Sequence, residues 1–288
     1  MATFDFPRAD HPAAARVLIE HSDGDTPVVE QPIRMVSVDT PEKAQYAGKA
    51  STAQPKLDRC RERLTDGTFG TLIPDGLRDH LLARLTPDAA ARHIAAAERA
   101  TAHFQTLRER RLTRPNGSVR RVAVVPTGEI VDRYGRLLAY LAPWFAGADR
   151  GDPRPPRDHP DRRTFNLDMV ADGWGAMFLV HPSIPRDPDL RVLLDAADAA
   201  WTGRRGMWEA FGEDLLLAYE YRACVKLGAR DLGDPEAAVE NAYQRVCVDL
   251  DGLRTLGPFG YHLAPPSRRL WIWKDRFDQA RDDLRLPR

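Results

Sequence analysis

The stretch IRMVSVDTPEKAQYAG (residues 33–48) predicts a strand that stops at a proline and opens into a polar loop. The strand carries Arg34 in its middle and ends on Asp39, Thr40 and Glu42. Arginine brings a permanent charge and five donors, which favours an anion nearby. Asp39 and Glu42 supply hard oxygen atoms, suited to a divalent cation or to activating water. Taken alone, the stretch also fits a strand that ends in an Asx–Pro turn with an exposed arginine.

Length and composition indicate a globular protein with one large domain, or one medium domain plus an extension. The 288 residues are 43% hydrophobic and 29% charged, and the formal net charge is +0, so no overall field attracts nucleic acid. The sequence starts without a basic segment and apolar core, and no apolar run reaches the length of a membrane span. We therefore expect neither a signal peptide nor a membrane partner.

The cysteines predict a reducing environment. Cys60, Cys224 and Cys247 are widely spaced and have no ligand-spaced histidines near them. This spacing favours structural thiols in a cytoplasmic protein over a disulfide framework or a zinc site.

Local charge differs from the overall balance. Residues 101–136 contain eight arginines against three acidic residues. They form a basic patch if the side chains share a face, or a solvated, arginine-rich helix end if they do not.

The order of predicted elements favours an α+β fold. Three strands come early, within residues 15–39, and two come late, within residues 117–145, with helices predicted between them and after them. Because strands and helices do not alternate, βαβ units are not expected. A small mixed barrel with helices packed outside it suits this order better.

Four short motifs then follow one another along the chain. They are DGDT (residues 23–26), Arg34 with DTPE (39–42), DRYGR (132–136) and a helix ending in GMW (206–208). This succession, with YGRLLAY nearly intact, resembles the staphylococcal nuclease (thermonuclease) family over roughly residues 13–64 and 115–208. The resemblance implies a five-stranded OB-type β-barrel with packed helices over residues 1–209, a helical insertion at about 65–114, and a mainly helical C-terminal extension over residues 210–288.

The resemblance also implies a Ca²⁺-dependent nuclease that acts on DNA, RNA or both. Its functional residues match positions of this sequence one by one: Asp25, Asp39 and the Thr40 carbonyl as Ca²⁺ ligands; Glu42 as the general base; Arg34 and Arg136 as the phosphate clamp; and Arg133 and Tyr134 as nucleotide contacts.

The chemistry of phosphodiester hydrolysis requires such a set. The transition state gathers charge on the equatorial oxygens, which guanidinium groups bind in pairs, and a carboxylate near the water acts as general base. Strict strand alternation, however, places Arg34 on the face of Val36 and Val38, with Asp39 on the opposite face. Their convergence on one ligand therefore requires a bend or bulge at the strand end. Only eight residues separate Asp25 from Arg34, which predicts a short hairpin.

Other interpretations remain open at this point. The chain also fits a catalytically silent OB-type module that binds nucleic acid or protein, or a nuclease whose C-terminal extension binds a protein partner. Trp271 and Trp273 are interpreted as a packed terminal strand in preference to a base-stacking platform.

Overall fold

A mixed α and β architecture is formed by the residues that the computed structural model describes, which are 15–21, 25–146 and 151–287. The strands are β1 Leu18–His21, β2 Pro27–Val29, β3 Ile33–Met35, β4 Ser37–Asp39, β5 Val122–Val131, β6 Leu137–Pro143, β7 Ala176–Val180, β8 Arg245–Asp249, β9 Arg254–Gly257 and β10 Arg269–Trp273. The α-helices are α1 Ala44–Ala47, α2 Ala50–Thr65, α3 Asp75–Leu82, α4 Ala89–Leu112, α5 Phe165–Ala171, α6 Asp187–Thr202, α7 Met207–Phe211, α8 Ala218–Leu227, α9 Pro235–Ala242 and α10 Phe277–Asp283.

These strands form three separate sheets. The largest has the order β4–β7–β10–β8–β9, a second has the order β3–β6–β5, and β1 pairs with β2 alone. The described sheets are not closed into a barrel, so the predicted five-stranded OB-type barrel is not confirmed, while the mixture of helices and strands is.

The five-stranded sheet has a packed core on each face. Leu270 and Ile272 pack on one side with α5, α6 and the end of α4, whereas Trp271 packs on the other with α2, α3 and α8. This period-2 alternation is that of a central strand buried on both faces. The interpretation of Trp271 as a core residue is confirmed, since its exposure is 4%.

The C-terminal segment (residues 210–288) contributes strands to the same sheet as the preceding chain. Strand β10 lies between β7, to which it is parallel, and β8, to which it is antiparallel. The division at residue 209 stays a prediction, but the sheet itself crosses it.

Residues 65–114 contribute helices to the same core. Helix α2 contacts α4 and α8, and Leu77 and Leu81 of α3 are fully buried. The predicted insertion therefore packs against the sheet that carries Asp39. No described helix combines the length and the apolar character needed to cross a membrane.

Candidate functional site

A change in chain direction at Ser37, the first residue of β4, brings Arg34 close to Asp39. Strand β3 runs parallel to β6, with Arg34 opposite Leu138, and after Val36 the chain moves to the other sheet, where β4 pairs with β7. Ser37 has a φ of 61°, a left-handed conformation that is uncommon for a residue other than glycine. It breaks the strict alternation that would separate Arg34 from Asp39. This is the bend that convergence requires.

Side chains stabilise this change of sheet. The amide of Asn166 donates to the Val36 carbonyl at 2.8 Å, and its oxygen accepts from the N–H of Leu141 at 3.0 Å. The hydroxyl groups of Ser37 and Tyr140 are 2.6 Å apart. Asn166 is 1% exposed, so it satisfies backbone groups that neither sheet pairs.

Asp39 is a buried carboxylate held by two arginines. Its Oδ1 accepts from Arg34 Nη2 at 2.7 Å, and its Oδ2 accepts from Arg222 Nη2 at 2.7 Å. Burial alone would raise the pKa of Asp39, but the charges and hydrogen bonds of Arg222 and Arg34 outweigh it and lower the pKa from 3.8 to about 2. The side chain is 2% exposed and ionised at neutral pH.

Glu42 is fixed through both its side chain and its backbone. Oε1 accepts from Arg222 Nη1, and Oε2 accepts no hydrogen bond from the described residues. The Glu42 N–H donates to His93 Nε2 at 2.8 Å, while His93 Nδ1 donates to the Leu216 carbonyl at 2.9 Å. Burial lowers the pKa of His93 to about 3, so the ring is neutral and its tautomer matches these two bonds.

The DRYGR motif forms a tight turn between β5 and β6. Asp132 accepts from the backbone N–H groups of Tyr134 and Arg136, and Gly135 takes a φ of 72°, which glycine adopts without steric cost. The Asp132 carboxylate also binds Arg136, at 2.6 Å from Nη2. Tyr134 is 63% exposed, and the guanidinium carbons of Arg133 and Arg136 lie 5.0 and 5.4 Å from its ring centroid.

One cavity of about 1300 Å³ joins these parts. Seven of the eight residues chosen from the sequence line it: Arg34, Asp39, Thr40, Glu42, Arg133, Tyr134 and Arg136. Asp25 is exposed and does not contribute to its lining, and residues 22–24 of the DGDT region lie outside the described residues. The structure thus groups Arg34, Arg136 and Glu42, the residues predicted to clamp phosphate and to act as general base, but it does not place Asp25 with them.

The grouped carboxylates do not fit a Ca²⁺ site in this arrangement. Ca²⁺ takes about six to eight oxygen ligands. Within residues 15–21, 25–146 and 151–287, no three His, Cys, Asp or Glu side chains lie where they could share a metal ion. Arg222 binds Asp39 and Glu42 together, so a guanidinium occupies the position between the carboxylates that a cation would need. Calcium dependence stays a prediction, and no chemical step is derived through it.

Several residues that line the cavity lie outside the sequence motifs and could not be recognised from them. Arg222 lies on α8 within an ordinary amphipathic pattern, 183 residues beyond Asp39. Arg245 begins β8, opposite Trp273 of β10, and its guanidinium carbon lies 3.9 Å from the Trp273 ring centroid. Trp273 therefore faces the cavity, unlike Trp271, although the sequence predicted packing for both. Trp271 and Trp273 share one face of β10, but Trp273 ends the strand and is only partly buried, so its packing differs from that of Trp271.

The comparisons with known proteins leave the family open. No protein-family model matches the chain, and no curated protein matches it significantly.

Proposed function

We propose that this protein is a phosphodiesterase that hydrolyses DNA or RNA, related to the staphylococcal nucleases. The observation that carries the proposal is one cavity lined by Glu42, Arg34 and Arg136. We also propose that the sheet of β3, β6 and β5 corresponds to part of the OB-type fold of that family. This sheet carries Arg34 and includes the DRYGR turn.

The two arginines supply donors for the transferred phosphoryl group. Arg34 uses Nη2 on Asp39, and Arg136 uses Nε and Nη2 on Asp132, so each keeps further N–H groups for an anion. These carboxylate contacts hold each guanidinium before substrate arrives. Equatorial oxygens that gain charge in the transition state are then met by fixed donors, which need no reorganisation.

Glu42 is proposed to act on the water. Its Oε1 is held by Arg222, and its Oε2 remains available to accept a proton from a water molecule in line with the scissile bond. As the water oxygen bonds to phosphorus, the P–O bond to the leaving oxygen breaks, and that oxygen takes a proton from solvent. Tyr134 and Arg133, exposed at the turn, would contact the nucleotide.

A second candidate is a module that binds nucleic acid without cleaving it. It is favoured by Arg222, which ties both carboxylates into ion pairs. Such a module would use the same arginines and Tyr134 for backbone and base contacts but would have no turnover.

Incubation of the purified chain with plasmid, single-stranded DNA and RNA tests the proposal. Each substrate is tested with Ca²⁺, Mg²⁺ and EDTA. Cleavage of any of them supports the phosphodiesterase, and cleavage that requires Ca²⁺ would support the predicted calcium dependence. Binding of the same substrates without cleavage in all three conditions would favour the second candidate.

A matched variant excludes a contaminating nuclease. Glu240 also lines the cavity but has no proposed role. Glu240→Gln should cleave like the wild type, whereas Arg136→Ala should lose most activity.

A further inference from the structure

A smaller pocket of about 150 Å³ adjoins the main cavity, and cations dominate its polar lining. Four cationic side chains line it, namely Arg133, Arg222, Lys226 and Arg245, and no Asp or Glu of the residues that the structure describes does. Only Arg222 among them has carboxylate partners in the described part of the chain. The pocket therefore holds three cationic side chains that no described carboxylate pairs with.

Arg245 carries a buried donor that no described residue satisfies. It forms no ion pair with any described carboxylate, and its Nε is buried without a hydrogen-bond partner. A buried guanidinium donor normally has an acceptor, because an unmade bond leaves the desolvation cost uncompensated. Burial and the charge of Arg222 lower the pKa of Arg245 to about 10, which is consistent with a cation short of a counter-charge.

The side chain is nevertheless held in a fixed position. Its guanidinium carbon lies 3.9 Å from the Trp273 ring centroid and 5.5 Å from that of Phe178. Both aromatic faces attract the cation and orient it without consuming its N–H donors. Arg245 is thus prepared to bind an anion that the described residues do not supply.

Lys226 adds a second donor. Its Nζ donates to the Asn241 carbonyl at 2.8 Å, and no carboxylate of the described residues pairs with it. Burial and the charges of Arg133, Arg245 and Arg222 lower its pKa. Bound phosphate would offset this repulsion between like charges.

We propose that this pocket is a second phosphate subsite, in which Arg245 and Lys226 bind another phosphate group of the nucleic-acid substrate. The inference rests on the proposed phosphodiesterase function for the identity of the ligand. The shared chemistry is a phosphate oxyanion, which is either the phosphodiester of a neighbouring nucleotide or a terminal phosphate monoester. Both donors come from the C-terminal segment, which gives that segment a role in substrate binding.

Calorimetric titration with inorganic phosphate tests the subsite without turnover. Chloride-matched titrations would use the full-length wild type, Arg245→Gln, Lys226→Gln and Arg136→Gln. Arg254→Gln is the matched control, because Arg254 lies on β9 of the same sheet, is paired with Asp249 and lies outside the pocket. Loss of a charged hydrogen-bond donor typically weakens binding by about tenfold. We expect this loss in Arg245→Gln and Lys226→Gln. We expect no loss in the Arg254→Gln control, and none at this subsite in Arg136→Gln.

Wild-type phosphate binding by both Arg245→Gln and Lys226→Gln would overturn the proposal. Because Arg245 is half-buried, thermal melting checks that its variant folds, and Lys226→Gln carries the test if it does not. If the variants lose phosphate binding but the wild type cleaves no substrate, the subsite is retained and the phosphodiesterase is rejected. If the wild type cleaves substrate and both variants bind phosphate like the wild type, the phosphodiesterase is retained and the subsite is rejected.

Oligonucleotides distinguish the two sources of phosphate. If a terminal phosphate lowers the wild-type KM, and Arg245→Gln abolishes that difference with little change in kcat, the subsite takes chain ends. If instead KM falls as the oligonucleotide lengthens, whatever its end group, and Arg245→Gln abolishes the length dependence, the subsite takes the neighbouring phosphodiester. A KM that Arg245→Gln leaves unchanged for every oligonucleotide would contradict both.

Discussion

Replacing Arg222 with methionine is expected to destabilise the fold by leaving a buried charge poorly compensated. Asp39 is 2% exposed, and Arg222, 24% exposed, makes its closest contact to Oδ2 at 2.7 Å. Removal of one partner from a buried ion pair typically costs ~3–5 kcal/mol. Because Arg34 still binds Oδ1, we expect a loss of ~2–3 kcal/mol, which corresponds to a fall in Tm of ~4–10 °C.

The pH dependence of this loss identifies its cause. In the wild type the pKa of Asp39 is lowered to about 2, so its contribution is present above its ordinary pKa of 3.8 and is lost as pH falls towards 2. Without Arg222, burial becomes the dominant effect and raises the pKa. An acid with a raised pKa destabilises the fold increasingly as pH rises, so the stability gap between the two proteins should be widest at neutral pH and shrink towards pH 4.

Urea unfolding at several pH values, followed by circular dichroism, measures the gap. Asp39→Asn added to Arg222→Met should recover part of the loss, because it removes the uncompensated charge. Arg254→Met is the control: its ion pair is exposed and should contribute at most about 1 kcal/mol. Equal stability of wild type and Arg222→Met at pH 7, or a gap that does not change with pH, would refute the buried-charge explanation.

Three further outcomes are expected. His93→Phe keeps the ring but leaves the Glu42 N–H and the Leu216 carbonyl without partners, so urea unfolding should show a loss of ~2–4 kcal/mol; no loss would mean that these bonds do not matter. Truncation after residue 209 removes β8, β9 and β10 from the five-stranded sheet, and the remainder should lose its cooperative thermal melt; a sharp melt would establish an independent first domain. Millimolar Ca²⁺ should leave the Tm of the wild type unchanged but raise that of Arg222→Met, whose carboxylates are released; a rise in the wild type would show that the ion pairs yield to the metal.

The part of the candidate cavity that is local in the chain was predictable from the sequence. Arg34, Asp39 and Glu42 lie within one short segment, and Asp132 and Arg136 within one turn, so residue type and spacing carried the information. The alternation rule, however, separated Arg34 from Asp39, and only the left-handed backbone of Ser37 reunites them. A serine gives no sign that it will adopt this conformation, because the cause is the change from one sheet to the other.

The remaining features depend on contacts between distant segments. Arg222 reaches Asp39 from α8, and Arg245 meets Trp273 only because β8 pairs with β10. The predicted barrel rested on strands within residues 15–39 and 117–145, whereas β4 pairs with the later strand β7, which pairs in turn with β10. Residue periodicity identifies which face of a strand is buried, but it does not specify the partner strand.

Glu42→Gln tests most directly whether Glu42 acts on water in a cavity where arginines bind phosphate. Gln keeps the size of the side chain and an oxygen that can accept from Arg222, but it does not take a proton from water. Single-turnover cleavage and equilibrium binding would be measured on one labelled single-stranded oligonucleotide. We expect the cleavage rate to fall by ~10²–10⁴ while binding stays unchanged or tightens, since a negative charge near the phosphate is removed. Wild-type cleavage by Glu42→Gln would contradict the assignment of the general base.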